Sequence, residues 1–251
     1  MPKQPSFAHT KLGFSLIELS IVIVIIGILV GGIAGFQSYM RNAEVRNMLT
    51  ESQVFITAFN QFQTRYKAPP GDFINANNVW SGAFAGDGNG IIRACSGVCT
   101  QQPLERYYVF QHLARAGFIP GTYTGAVTPV TNGATIGLNV PATSMQKTTF
   151  LFDHPDAADG FVSGDALYFD GTYGNILRIA GLNDNATDIP DRPFISGARA
   201  LQIDDKIDDG QPGKGNILTP KSAALANCAS SDIAYFATGD EITCYLFIKI
   251  Q

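Results

Sequence analysis

The sequence predicts an α+β fold in which a long N-terminal helix lies against a C-terminal antiparallel β-sheet. Three observations lead to this prediction. An apolar run extends from Phe14 to Phe36, an amphipathic segment follows it to about Tyr66, and short β-like runs separated by turn signals fill the rest of the chain. A long helix followed by turn-rich strands is typical of a helix that covers one face of an antiparallel sheet.

The apolar run has the length of a membrane-spanning helix. At about 1.5 Å per residue, residues 14–36 form a helix about 34 Å long, which is enough to cross the roughly 30 Å hydrocarbon core of a bilayer. Lipid cannot hydrogen-bond a bare peptide group, so such a segment is expected to be helical there. Its one charged residue, Glu18, is costly in apolar surroundings unless an opposite charge neutralises it.

Glu18 stands in a specific sequence context. A short basic leader comes first, Gly13 and Phe14 follow, and Glu18 lies at the start of the unbroken apolar run. This order resembles the class III signal of type IV prepilins and pseudopilins. The resemblance implies that a prepilin peptidase cuts between Gly13 and Phe14 and methylates the new amino group of Phe14. It also implies that Glu18 pairs with the terminal amine of a neighbouring subunit during assembly.

Two other interpretations of this segment explain less. An ordinary secretory signal has an apolar region of about 7 to 15 residues that ends at an Ala-x-Ala-like site. Here the run is longer and contains Glu18, and residues 31–35 offer a poor cleavage site. A plain single-span anchor explains the length but not Gly13, Phe14 and Glu18 together. Residues 1–13 are therefore assigned to a leader and residues 14–36 to a membrane and assembly segment.

Glycines recur every four residues within the apolar run. Gly27, Gly31 and Gly35 fall on one helix face and form a doubled Gly-x-x-x-Gly pattern, which lets a second helix approach closely. Glycine is also frequent in membrane helices in general, and both explanations stay open.

The segment from 37 to 68 is predicted to continue the same helix with one apolar side. Pro69-Pro70-Gly71 ends it, and a head domain occupies residues 69–251. An aromatic stripe on the apolar side is expected to pack on the sheet. Its apolar positions recur at helical spacing and include Val45, Met48, Leu49, Phe55, Ile56, Phe59, Phe62 and Tyr66.

In the head, β-like runs alternate with turn signals, and one further helix is predicted between about Pro103 and Gly117. The predicted strands are Thr148–Phe152, Ala166–Phe169, Asn175–Ile179 and Tyr245–Ile250.

Composition excludes nucleic acid as a partner. The net charge is −4 and the isoelectric point is about 5.3, whereas nucleic-acid binding calls for a basic patch or stripe. There is also no polybasic cluster for anionic lipids.

The four cysteines form two local pairs in the sequence. An even count in an exported chain argues for disulfides, and three connectivities are possible. We favour Cys95–Cys99 and Cys228–Cys244 because each pair closes a short loop; for about 15 residues the closure entropy amounts to roughly 3 kcal/mol. Zinc is the alternative, but the spacing lacks Cys-x-x-Cys and the three histidines are scattered. In pilins, which the chain resembles, paired C-terminal cysteines commonly staple the terminal region.

Two loops are candidates for calcium. In residues 86–92, Asp87 and Asn89 stand at alternate positions before Gly90, as at the start of a calcium loop, although a complete EF-hand pattern is absent. Residues 204–215 crowd several carboxylates, yet Asp-Gly and Pro-Gly are also ordinary turn formers. The acidic candidates of this second loop are Asp205, Asp208 and Asp209. Calcium occurs in some pseudopilins that the chain resembles; no other cofactor is expected.

No catalytic constellation is recognisable. Ser144 and Lys147 match a Ser-x-x-Lys motif formally, but its companion motifs are absent. His112 and His154 have no paired nucleophile that the sequence identifies.

The sequence therefore predicts a structural subunit rather than an enzyme. The resemblance implies an inner-membrane protein with a periplasmic head that assembles into a type IV pilus or a type II secretion pseudopilus. Its implied partners are other pilin-like subunits, a prepilin peptidase and the membrane assembly platform. The alternative is a membrane-tethered, calcium-dependent binding or adhesion module that does not polymerise.

Overall fold

The computed structural model describes residues 15–92, 105–126, 133–155, 161–162, 168–182, 190–221, 228–236 and 241–250. For residues 32–42 and 161–162 it describes the backbone without the side chains. Contacts within the chain divide it into two units, Met1–Arg46 and Asn47–Gln251.

The long N-terminal helix is present. Helix α1 has 51 residues and covers the apolar run from Leu16 onward and the amphipathic segment as far as Tyr66. It ends before Pro69-Pro70, and Lys67 just beyond it has a left-handed backbone with φ of 59°. The helices are α1 (Leu16–Tyr66), α2 (Ala76–Val79), α3 (Glu105–Arg115) and α4 (Gly197–Ile207).

The first part of α1 exposes large apolar side chains on all sides of the helix. Between Leu16 and Val30 these side chains are 49% to 87% exposed. Among the residues that the structure describes, no helix combines the length and the hydropathy that crossing a membrane requires.

The central sheet is antiparallel, as predicted. Its strand order is β1-β4-β10-β6, and β2-β3, β5-β9 and β7-β8 form three further two-stranded pairs. In the described part of the chain the strands are β1 (Thr148–Asp153), β2 (Phe161–Val162), β3 (Gly171–Thr172), β4 (Ile176–Gly181), β5 (Ile195–Ser196), β6 (Ile217–Leu218), β7 (Ala229–Ser231), β8 (Ala234–Tyr235), β9 (Ile242–Cys244) and β10 (Leu246–Lys249).

Most of the predicted elements of the head are confirmed. Strands β1, β4 and β10 lie where the β-like runs were found, and α3 lies within the predicted second helix, with Gly117 just after it in the left-handed conformation. The predicted strand at 166–169 was wrong for Tyr168 and Phe169, which lie in irregular structure; its first two residues fall outside the described part of the chain.

Aromatic side chains form the core between α1 and the sheet. Phe59 of α1 stacks on Phe152 of β1 with ring centroids 5.1 Å apart, and Phe55 lies 5.0 Å from Phe150. Phe110 of α3 contacts the ring of Phe152 at 5.6 Å. Side chains alternate across a strand, so Phe150 and Phe152 share the face of β1 that meets the helices. The predicted aromatic stripe is therefore core, as expected.

The opposite face of the sheet is also buried, and it holds an ion network. Asp153 of β1 lies 2.9 Å from guanidinium nitrogens of both Arg106 and Arg178. Arg178 also donates a hydrogen bond of 2.8 Å to the Tyr168 hydroxyl, and its guanidinium lies 5.1 Å from the ring centroid of Phe247. A buried charge of this kind is tolerated because a partner neutralises it.

Helix α4 was not predicted. Asp204 and Asp205 belong to its last turns, so the loop expected from residue 204 begins only after Ile207. The buried side of α4 consists of Gly197, Ala200, Ile203 and Asp204. The helix was missed because Asp204 and Asp205 were interpreted as the start of the turn-rich segment that follows, whereas they belong to the helix.

The aromatic core generates a testable prediction. We expect Phe59→Ala to lower the free energy of unfolding by about 3 to 5 kcal/mol, because it removes a fully buried ring and leaves a cavity. The measurement is urea denaturation of the purified full-length chain in detergent, followed by near-ultraviolet circular dichroism.

Phe236→Ala is the matched control, because the Phe236 side chain is 41% exposed and that of Phe59 only 1%. Equal losses of stability in the two variants would contradict the assignment of Phe59 to the core.

Candidate functional site

Two hydrogen bonds between backbone N–H groups and side chains mark the beginning of α1. The backbone N–H of Ser15 donates to Glu18 Oε2 at 2.9 Å, and the backbone N–H of Ile17 donates to Ser15 Oγ at 3.3 Å. The first helical backbone bond runs from the N–H of Leu19 to the carbonyl of Ser15 at 3.2 Å. Ser15 and Glu18 thus have the spacing of an N-terminal capping box and one of its two contacts, since Ser15 Oγ accepts from Ile17 and not from Glu18.

The remaining predicted residues of the N-terminal segment are only partly within the described structure. Gly13 and Phe14 lie outside it. Gly35 lies in α1, but the side chains around it are not described. At Gly27 and Gly31, a Cβ would meet no atom within 4 Å. No contact of the described chain therefore requires glycine at these two positions, and the predicted close approach of a second helix stays a prediction.

The C-terminal disulfide is confirmed. Cys228 and Cys244 are bonded, with a Cα–Cα distance of 4.8 Å and a sequence separation of 16 residues. Both are fully buried, and they join the segment before β7 to the end of β9. The proposed partners Cys95 and Cys99 lie outside the described residues.

The first calcium candidate is a loop wrapped around a carboxylate that comes from elsewhere in the chain. Asp72 Oδ1 accepts hydrogen bonds from the N–H groups of Gly88 (2.6 Å) and Asn89 (3.1 Å), and its Oδ2 accepts one from Gly90 (2.6 Å). Gly86 allows this approach, because a Cβ there would lie 2.3 Å from the Cα of Asp72. Successive backbone N–H groups arranged in this way form an anion-binding concavity, and Asp72 fills it.

Three carboxylates gather at this loop. Oxygens of Asp72, Asp87 and Glu105 lie within 4.8 Å of one another, and Glu105 accepts a hydrogen bond from the N–H of Asp87 at 2.9 Å. Burial raises the pKa of Asp72, the Gly90 and Gly88 amides lower it, and neighbouring Asp87 raises it further. The predicted ligand Asn89 does not join the group, since its side-chain amide donates to Asp87 Oδ2 and its Oδ1 accepts from Ile91.

The second calcium candidate lies where α4 ends. Oxygens of Asp204, Asp208 and Asp209 come within 4.8 Å of one another. Asp205 does not belong to this group: Asp204 is on the buried side of α4, and the next residue, Asp205, is exposed. The Tyr235 hydroxyl donates to Asp204 Oδ2 at 2.7 Å.

Asp208 also holds the loop that follows α4. Its Oδ2 accepts hydrogen bonds from the N–H groups of Asn216 and Ile217, the latter at 2.8 Å. A Cβ on Gly215 would collide with this carboxylate, so glycine is required where the loop closes. The N–H of Thr219 donates to the carbonyl of Pro212 at 2.9 Å within the same loop.

In the second group, the carboxyl of Asp204 has a raised pKa. Burial raises this pKa to about 6, and the negative charges of Asp209 and Asp208 contribute in the same direction. The hydrogen bond from Tyr235 lowers it. Burial and the Asp204 carboxylate likewise raise the pKa of Tyr235. A proton or a divalent cation would relieve the repulsion among these carboxylates, and oxygen ligands suit calcium.

Residues that resembled catalytic groups have structural contacts. His112 Nδ1 accepts from the N–H of Gly71 at 2.8 Å and its Nε2 lies 2.7 Å from the carbonyl of Phe84. Burial lowers its pKa to about 4, so the ring is neutral and ties two loops to α3. The backbone N–H and the hydroxyl of Ser144 both donate to the Glu51 carboxylate on α1.

Comparison with known proteins bears on the N-terminal segment. The family model for the prokaryotic N-terminal methylation motif matches residues 9–34. The chain therefore carries the signal of type IV pilins and pseudopilins, and the resemblance seen in the sequence is confirmed for this segment. No curated protein and no solved structure matches the chain.

Asp204 gives the head a specific pH dependence. Its pKa is raised in the folded state, so its contribution to stability is present below the unfolded pKa of about 3.9 and is lost as the pH rises through about 6. We expect Asp204→Asn to remove this loss and to raise the melting temperature above that of the wild type at pH 7.5, with chelator present. The asparagine carbonyl still accepts the hydrogen bond from Tyr235.

The control is Asp205→Asn, the same change one residue further along α4 at an exposed position. A wild-type pH profile in Asp204→Asn would contradict the assignment.

Calcium binding stays a prediction, and it is directly measurable. We expect calorimetric titration of the full-length chain with calcium to release or absorb heat, and calcium to raise the melting temperature. Loss of the heat in Asp72→Asn would assign binding to the first loop, and loss in Asp204→Asn would assign it to the second. Asp205→Asn should leave the heat unchanged. Absence of both heat and thermal shift would count against both loops.

Proposed function

We propose that the chain is a pilin-like subunit, which a prepilin peptidase cuts between Gly13 and Phe14 and methylates at Phe14. The processed subunit assembles through its N-terminal helix into a type IV pilus or a type II secretion pseudopilus. The observation that carries the proposal is the methylation motif over residues 9–34, which overlaps the start of a helix of 51 residues.

The apolar surface of α1 supports membrane insertion before assembly. Between Leu16 and Val30 every side chain other than Glu18 and Ser20 is apolar or glycine, and after Glu18 the sequence carries no charge as far as Phe36. A helix that exposes this many large apolar side chains needs lipid or neighbouring helices around it, since in water those side chains would all be hydrated. We infer an inner-membrane anchor with a periplasmic head, and later a fibre in which other subunits replace the lipid.

Glu18 is the residue that links insertion to assembly. In the proposed fibre its carboxylate neutralises the methylated terminal amine of an adjacent subunit. Each charge is tolerated in apolar surroundings because the other is present, and the loss of one leaves its partner uncompensated. The membrane assembly platform and other pilin-like subunits are the partners that this role requires.

The head supports export but does not favour one fibre over the other. Its buried Cys228–Cys244 bond suits an oxidising compartment outside the cytoplasm. Its two carboxylate groups favour the second candidate function, a membrane-tethered module that binds its target in a calcium-dependent way without polymerising. Such a module would need the apolar helix only as an anchor.

The two functions differ in what Glu18 does. We expect Glu18→Ala to abolish incorporation into sheared surface fibres, or secretion of cargo, because the amine of the neighbouring subunit loses its counter-charge. The readout is normalised to the amount of cleaved subunit in the membrane, so that a defect in processing is not mistaken for one in assembly.

Glu44→Ala is the control, since it removes the same kind of charge from α1 beyond the apolar run. Normal incorporation of the Glu18→Ala subunit would argue against the fibre and for the tethered module.

A further inference from the structure

A groove opens on the head where the end of α4 and the edge strand β6 lie beside α1. It encloses a cavity of about 540 Å³, a size that is typical of binding pockets. Ile207, at the end of α4, lines the cavity and is 53% exposed. The aliphatic lining consists of Leu49, Ile56, Ile207, Ile217 and Ile248.

The wall that follows α4 is acidic. Residues 205–209 carry three carboxylates and one ammonium group. Lys249 also lines the cavity, but its ammonium group lies 5.5 Å from the ring centroid of Tyr173. The groove therefore suits a partner that brings cations together with an apolar side chain. We refer to the cavity and residues 205–209 together as the acidic groove.

A patch of opposite charge lies at the far end of α1. Arg65 and Lys67 are exposed there. The guanidinium of Arg65 lies 5.4 Å from the ring centroid of Tyr66, and that ring lies 5.3 Å from the ring of Trp80. The two cations are thus held beside the short helix α2, which ends just before Trp80.

The same patch offers an apolar side chain and a third cation. Val79, the last residue of α2, is 49% exposed. Arg115 is exposed as well, and its Nη1 donates to the carbonyl of Ser81 at 2.8 Å. Between residues 65 and 81 the sequence holds one acid, Asp72, and its side chain is buried. We refer to Arg65, Lys67, Val79 and Arg115 as the basic tip.

We propose that the basic tip of one copy docks on the acidic groove of the next copy in the fibre. The inference rests on the proposed assembly of the chain into a fibre and names the surfaces of the heads that meet there. The cations of the tip face the carboxylates of residues 205–209, and Val79 enters the cavity beside Ile207. Charge complementarity selects the partner and the register, and burial of the aliphatic side chains contributes affinity.

The positions of the two surfaces suit a filament. Arg65 lies nine residues beyond Ile56, which is about 14 Å further along α1. A copy displaced along α1 thus brings its acidic groove to the level of its neighbour's basic tip. Repeated contacts between two different patches generate a closed ring or an open helical filament, and a displacement along the axis excludes the ring.

The experiment exchanges the charges of the two surfaces in the full-length chain. Incorporation into sheared fibres is measured relative to the cleaved subunit in the membrane. We expect Arg65→Glu with Lys67→Glu, and separately Asp205→Lys with Asp209→Lys, to lower incorporation by about 10-fold, because like charges then face each other.

The variant with all four changes is the decisive one. We expect it to regain about half of the wild-type incorporation or more, because the charges are complementary again. Loss of a calcium ligand at Asp209 could not be repaired by changes at the basic tip. Lys147→Glu with Arg192→Glu is the matched control and should leave incorporation unchanged, since both side chains are exposed outside the two surfaces, by the paired ends of β1 and β4.

A second measurement uses the unmodified chain. A carbodiimide joins an ammonium group to a carboxylate that it contacts. We expect it to link Lys67 to Asp205 or Asp209 in wild-type fibres, and isotope-labelled subunits mixed into the fibre show whether the link runs between two copies. This measurement decides the question even where a charge-reversed variant fails to fold.

The outcomes distinguish this inference from the proposed function. If the wild type is absent from fibres, the proposed function fails and the inference fails with it. If the wild type is incorporated and the charge-reversed variants are incorporated equally well, the inference alone is overturned. The same holds if a folded variant with all four changes is not restored, or if no link between two copies is found.

Discussion

The head depends on the packing of one aromatic helix face against one strand. Phe55 and Phe59 of α1 meet Phe150 and Phe152 of β1, and Phe110 of α3 closes the cluster from the other side. Rings bury a large area for few rotatable bonds, so this contact sets the position of α1 on the sheet at a small cost in side-chain entropy. Because α1 continues into the apolar segment, the same helix that organises the core also carries the proposed assembly surface.

In two loops of the head, backbone N–H groups donate to one carboxylate. Asp72 accepts hydrogen bonds from the N–H groups of residues 88–90, and Asp208 accepts them from Asn216 and Ile217. In each case a carboxylate stands where backbone N–H groups converge, and a glycine lets it approach. The Asp- and Gly-rich sequences that resemble calcium loops are thus explained in part by the chain's own carboxylates, and calcium is not needed to account for the shape of either loop.

The sequence predicted what depends on local pattern and missed what depends on distant partners. The long helix, the strands β1, β4 and β10, the Cys228–Cys244 bond and the N-terminal signal follow from periodicity, spacing or a continuous motif. The companions of Asp87 could not be found in this way, because Asp72 and Glu105 come from a turn and a helix that only the fold brings to it. Asp204 was passed over for Asp205, since the choice between them depends on a helix that the pattern did not reveal. The buried pairing of Arg178 with Asp153 likewise follows from strand register, which neither strand encodes by itself.

Asp208 also accepts a hydrogen bond from an N–H group of the edge strand β6. Strand β6 is at the end of the strand order, where unpaired N–H groups invite pairing with another chain. The N–H of Ile217 is taken by Asp208 and that of Thr219 by the carbonyl of Pro212, while β10 occupies the inner edge. In the proposed fibre, this edge would therefore offer few free N–H groups to a strand of a neighbouring head. The proposed association through the N-terminal helices would then leave the sheets of neighbouring heads separate.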